Sequence, residues 1–259
     1  MSDWKIKTIK KVKLTNPVLI EGMPGIGNAG KIAADLIVDQ LKARKIVSFF
    51  SESLPNSVFV REDNLVELPK IHFYHKRRNN KDFLFLVGDT QPMKNKDSYS
   101  FAWTVLSKAK EMGCKEIITL GGIGLSEPRK KPRVYCTGND EALIKEFVRL
   151  GASNKLYGVV GPIMGITGLL LGLSREKDVR AASLLAETYA HPMHIGLRGA
   201  KEIMKLLDKK YSLGMNLNKM EKDIKKIEDE LKNAFKQHQE LLEQSRIENM
   251  RAEDTTYIG

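Results

Sequence analysis

The feature that most restricts this chain is a repeated rhythm: short apolar runs end in turns and hand over to helical patterns. Val18-Leu19-Ile20 runs into a glycine turn and then into the helix-like residues 31–43, and Ile46-Val47-Ser48-Phe49-Phe50 is β-rich. Residues 57–78 read as meandering strands broken at Pro69, residues 82–87 as a short apolar strand, and residues 99–112 as a helix. Ile117-Ile118-Thr119-Leu120 is a short apolar run that leads into Gly121-Gly122. Further on, residues 141–150 are helical, Tyr157-Gly158-Val159-Val160 is strand-like, residues 167–173 form a buried helix and residues 195–211 another helix. Residues 181–190 fit a helix or a strand. Strands alternating with helices of about 10–15 residues predict an α/β fold, a three-layer α/β/α sandwich with a mostly parallel mixed sheet.

With 259 residues, 42% of them hydrophobic and 29% charged, the chain can bury one sizeable core and still carry an appendage. No window approaches the roughly 18 uncharged apolar residues of a membrane span, and the basic N-terminus lacks the apolar run of a secretory signal. Cys114 and Cys136 make no C-x-x-C and no disulfide framework. The expectation is a cytoplasmic protein with no membrane partner.

The formal net charge is +11, and it is unevenly spread. Residues 1–214 hold 35 Lys/Arg against 22 Asp/Glu, whereas residues 215–259 hold eight against ten. Dense basic runs lie at His75-Lys76-Arg77-Arg78 and Arg129-Lys130-Lys131-Pro132-Arg133. Such runs meet nucleic acid or an acidic protein face, or are solvated loop tips. Only Phe73 and Tyr74 accompany them, so stacking on nucleic acid has thin support.

Beyond Gly214 the pattern changes. Leu217, Met220, Ile224, Ile227, Leu231, Ala234, His238 and Leu241 follow a 3-4-3-4-3-4-3 spacing, an a/d seam that would extend roughly 38 Å as a helix. The expected division is an α/β/α core over 1–214, an amphipathic or coiled-coil helix over 215–249, and a flexible tail over 250–259. The seam serves self-association or a partner, or else folds onto its own body.

Two glycine clusters each lie between a strand and a helix. Gly22-Met-Pro-Gly25-Ile-Gly27-Asn28-Ala-Gly30-Lys31 contains G-x-G-x-x-G, with Glu52 ending the next strand 22 residues later, the layout of a dinucleotide fingerprint. It also nearly spells a P-loop, with Asp89 as a second carboxylate, but Ile32 stands where a metal-binding hydroxyl is needed. The second cluster is Gly161-Pro162-Ile163-Met164-Gly165-Ile166-Thr167-Gly168. The pair could form an anion pocket from amides at helix N-termini, or Gly25, Gly27, Gly165 and Gly168 could serve sharp turns and close packing. His191 and His194 lack a third ligand, His72 and His75 three apart in a strand point to opposite sides, and Cys114 reads as a packing thiol. No nucleophile–base pair is evident, so catalysis, a cofactor and a metal are not expected.

Taken in order, Gly22 to Gly30 with Ile32-Ala33-Ala34-Asp35, then Leu120-Gly121-Gly122-Ile123, Tyr135 to Asn139, and Gly165-Ile166-Thr167-Gly168-Leu-Leu-Leu-Gly172-Leu173 resemble the proteasome assembly chaperone family in its archaeal, ATP-independent form. The similarity spans roughly residues 15–211. It implies a sandwich like that of nucleoside phosphorylases without an established catalytic site, a homo-oligomeric ring, and docking onto the α-ring of the 20S proteasome. It also implies partner binding by the last residues, because some members dock through a hydrophobic–tyrosine–any-residue tail. This chain ends Thr256-Tyr257-Ile258-Gly259, which matches after a one-residue shift. The implied function is an ATP-independent chaperone, adaptor or activator for proteasome α subunits or other protein clients. The alternative is an enzyme or nucleotide-binding protein that uses the glycine loops.

Overall fold

The structure is a computed structural model and describes residues 4–158, 161–191, 194–222 and 224–226. The chain divides into two units, Met1–Met215 and Asn216–Gly259. Among the described residues the first holds ten strands: β1 (Lys5–Thr8), β2 (Val18–Gly22), β3 (Arg44–Phe50), β4 (Phe59–Val60), β5 (Val66–Glu67), β6 (Ile71–Arg78), β7 (Lys81–Gly88), β8 (Glu116–Leu125), β9 (Val134–Gly138) and β10 (Arg180–Tyr189). Its helices are α1 (Ala29–Gln40), α2 (Asn95–Glu111), α3 (Glu141–Leu150), α4 (Gly165–Leu173) and α5 (Leu197–Tyr211).

Eight strands form one mixed sheet in the order β1-β3-β6-β7-β2-β8-β10-β9. The middle four, β7-β2-β8-β10, are parallel, and the flanking pairs are antiparallel. Helices α1, α3 and α5 pack on one face, α2 and α4 on the other. Covering both faces explains why β2 and nearly all of β7 and β10 are buried. Beneath α2 and α4 the core gathers Leu19, Phe49, Phe73, Leu84, Phe101, Ile117 and Leu170. Trp4 stacks on Phe101 at 4.2 Å there.

Local chemistry sets the element ends. Asp140 Oδ1 accepts the Leu143 N–H at 2.7 Å and starts α3, which Gly151 ends at φ 116°. Asn79 and Asn80 both have positive φ and close the two-residue β6–β7 hairpin. In that hairpin His75 and Arg77 both reach Asp82, at 2.9 and 3.1 Å, so part of the first basic run is held by the fold.

Residues 181–190, which fitted either state, are mostly strand: β10 is enclosed by β8 and β9, and a buried site on two faces overrides the helix preference of Ala and Leu. Of the strand expected over 157–160, Tyr157 and Gly158 form a turn, with Gly158 at φ 79°, and Val159 and Val160 lie outside the described residues. In the second unit, residues 217–222 and 224–226 are helical and Asn216 Oδ1 accepts the Lys219 N–H at 3.0 Å. Leu217, Met220 and Ile224 lie on this helix. Ile227, Leu231, Ala234, His238, Leu241, Tyr257, Ile258 and Gly259 lie outside the described residues, as does most of the 215–249 span.

Candidate functional site

The two glycine clusters meet where the parallel strands end. Gln91, in the β7–α2 connection, joins them: its Nε2 donates to Pro24 O at 2.7 Å, and its Oε1 accepts the Ile166 N–H at 3.1 Å. The Gly196 N–H donates to Gly27 O at 2.8 Å, so the segment before α5 closes over the same point.

Beneath this junction lies Glu21, fully buried on β2. Alternation of side chains turns Leu19 and Glu21 toward α2 and α4. Glu21 Oε1 accepts the Met23 N–H at 2.9 Å and the Thr167 hydroxyl at 3.4 Å. Burial pushes its carboxyl up to about 8, against the opposing pull of those two donors. At neutral pH Glu21 is therefore a neutral acid. Register places Thr119 beside it and Ser183 beside Thr119, all on one level of the sheet. Glu21 Oε2, Thr119 Oγ1 and Ser183 Oγ are buried with no hydrogen-bond partner among the described residues. A lone acid inside the run Val18-Leu19-Ile20-Glu21 was the available signal for this group; Gln91 had none.

The glycines act mainly through close approach. A Cβ on Gly30 would lie 2.3 Å from the Leu120 carbonyl oxygen, so α1 rests directly on β8 there. Gly22 abuts Ala34 and Gly30, and Gly168 abuts the Ile163 carbonyl. Gly27 (φ 59°) faces Thr188, and Gly165 (φ 71°) faces Gln91. Gly25 differs from expectation: its backbone is extended and no atom lies within 4 Å of a Cβ placed there, so neither turning nor packing requires glycine.

The nucleotide readings lose their geometry. In a dinucleotide fold the acidic residue ends a strand next to the glycine loop. Here β6 and β7 separate β3 from β2, which puts Glu52 three strand spacings away, about 14 Å. Glu52 instead lies 3.7 Å from Lys5. Lys31 Nζ is held by Asp35 at 2.9 Å rather than aimed along the loop, and Asp89 Oδ2 accepts the Lys70 N–H at 2.9 Å. The α4 amide of Ile166, which an anion would use, is occupied by Gln91.

Other candidates are similarly committed. His191 and His194 pack on Tyr189 at 5.4 and 5.6 Å. His72 is buried, and burial with the nearby Lys45 charge pushes its imidazole down to about 4. Cys114 and Cys136 are buried thiols pushed up to about 11 and 12 by desolvation, the reverse of what a reactive thiolate needs. Among the described residues no group of three His, Cys, Asp or Glu could hold a metal. An open groove of about 630 Å³ beside α4 is bounded by Thr137, Asn139, Gly168 and Arg175. Asn139 does not serve it, because its amide bonds Ser174, Val179 and Ala181. No described helix is long and apolar enough to cross a membrane.

Comparison with known proteins places this arrangement. Pyrococcus furiosus PbaB, an archaeal proteasome activator, superposes with a TM-score of 0.81 at 27% identity, over 90% of this chain and 99% of that one. Pyrococcus furiosus PbaA, an archaeal homolog of proteasome-assembly chaperone, shares the fold with a TM-score of 0.73 at 24% identity, over 98% and 99%. An uncharacterized protein of Methanocaldococcus jannaschii is 28% identical over 255 residues, covering 98% of this chain and 96% of the relative. Residues 19–234 match the PAC2 family, and the chain belongs to that family.

Proposed function

We propose that this protein is a cytoplasmic, ATP-independent chaperone or activator that acts on the proteasome by binding rather than by chemistry. The observation that carries the reading is the likeness to the Pyrococcus furiosus proteasome activator along nearly the whole of both chains. The candidate site agrees with it: its one buried acid has no access to solvent, and Gly22, Gly30 and Gly168 are engaged in packing. In this reading the protein forms a homo-oligomeric ring and docks on the α-ring of the 20S proteasome. The seam from Leu217 to Leu241 supports association, and Tyr257, Ile258 and Gly259 supply a docking tail. Several weak tails on one ring reinforce each other, because the first contact raises the effective concentration of the rest.

The test is surface plasmon resonance of the full chain on immobilised 20S proteasome, alongside peptide hydrolysis by the 20S particle. Binding that weakens on deletion of residues 250–259, and further with salt, is the expected result. No binding and no change in hydrolysis would overturn the reading. Binding unchanged by Tyr257→Ala and by deletion of Ile258-Gly259 would move recognition to the body.

A further inference from the structure

The connection between β3 and β6 carries the least settled surface of the first unit. Within it β4 and β5 pair only with each other, Phe59 opposite Glu67 and Val60 opposite Val66. The Arg61 N–H closes the ribbon onto Leu65 O at 2.8 Å. Val58, Phe59, Val60, Leu65, Val66 and Leu68 are each 46–69% exposed. A two-stranded ribbon on its own is marginal in water, and so many contiguous exposed apolar side chains mark a contact surface.

Charge says what covers it. Residues 51–70 hold four acids against two bases, whereas the remainder of residues 1–214 holds 33 bases against 18 acids. Within the ribbon Arg61 pairs with Asp63 at 2.6 Å and with Glu67 at 2.8 Å, and Lys70 also pairs with Glu67, which leaves Glu62 as the exposed acid of an apolar, net acidic arm on a basic body. A matching surface exists on the same chain, where the parallel strands end. Ile26, Met93 and Met164 are 53%, 83% and 77% exposed, and each lies two residues from the junction of Pro24, Gln91 and Ile166. Lys94 and Lys96, both exposed, border them.

We infer that the arm of one copy docks on the Ile26–Met93–Met164 patch of a second copy, with Glu62 facing Lys94 and Lys96. Arm and patch are different surfaces, so each copy can give one arm and accept another, as a closed ring requires. This deepens the ring assembly of the proposed function and rests on that reading for the existence of an assembly.

Light scattering after size-exclusion chromatography of the full chain tests it, with circular dichroism to verify folding. The wild-type protein should run well above its 29.2 kDa chain mass. Val60→Ser with Val66→Ser, Glu62→Lys, and Lys94→Glu with Lys96→Glu should each weaken association about tenfold or more, with folding kept. Joining the two charge reversals in one chain should restore assembly. A monomeric wild type overturns the inference, as does wild-type mass in the arm variants or in the Lys94/Lys96 variant. Measuring 20S binding on the same samples separates the two readings. Loss of assembly in the variants, with no 20S binding by the wild type, supports the arm and removes the proteasome role. Unchanged mass alongside 20S binding removes the arm alone.

Discussion

The parallel centre of the sheet and the β4–β5 arm solve opposite problems. In the centre the apolar surfaces are covered from within: β2 is covered on both faces, Gly30 touches the Leu120 carbonyl, and even an acid is accommodated by remaining neutral. In the arm, six large apolar side chains stand exposed among the described residues. The difference teaches that the centre defines the fold and has no slack for binding, whereas the arm has slack to give to another molecule.

The largest effect expected from probing this contrast is at Gly30. Gly30→Ala places a methyl 2.3 Å from backbone that cannot retreat without moving β8, so urea unfolding should show a loss of about 3 kcal/mol or more. A neutral substitution there would break the picture of a centre without slack.

Next comes Glu21. Its folded value, about 8, lies above the ordinary 4.5, so the native carboxyl keeps a proton that the unfolded chain releases. Its contribution is fully present below about pH 4.5 and is lost as pH rises toward 8. Glu21→Gln, which imitates the neutral acid, should flatten that decline and be more stable than wild type at pH 8, by about 2 kcal/mol. Chemical denaturation at a series of pH values reads this directly; parallel curves for the two proteins would show that Glu21 is not held neutral.

His72 gives a smaller effect of opposite sign. Its folded value, about 4, lies below the ordinary 6.5, so stability is lost as pH falls through that window. His72→Leu should flatten the acid limb of the same series. An unchanged limb would mean that the imidazole takes up its proton without leaving the fold.

The smallest effect belongs to the arm. Val60→Ser in a monomeric background should change unfolding free energy by no more than about 0.5 kcal/mol, because the side chain is 69% exposed. A cost above 1–2 kcal/mol would show that the arm is covered by its own body and would erase the contrast.

Much of the architecture was legible along the chain. The unbroken apolar run Phe83-Leu84-Phe85-Leu86-Val87 reads as a short strand, and α2 shows its helical spacing without help from neighbours. The incomplete P-loop was also readable, because Ile32 has no hydroxyl whatever the fold. These features depend on local periodicity and side-chain chemistry, which a sequence carries in full.

What the sequence could not carry was which distant groups share a site. Residues 181–190 became mostly strand only because β8 and β9 flank them. Glu52 lost its place beside the glycine loop when β6 and β7 came between. Gln91 became the link between the glycine clusters, although it lies 67 and 75 residues from its partners. Glu21 became a neutral acid through burial rather than through its own chemistry. By itself the sequence determined the layered α/β class, the turns and the uneven charge, since these follow from period, backbone preference and composition. The tertiary structure alone decided strand order, the packing of the glycines, the protonation of Glu21 and the exposure of the arm, because each depends on what the fold brings opposite a residue.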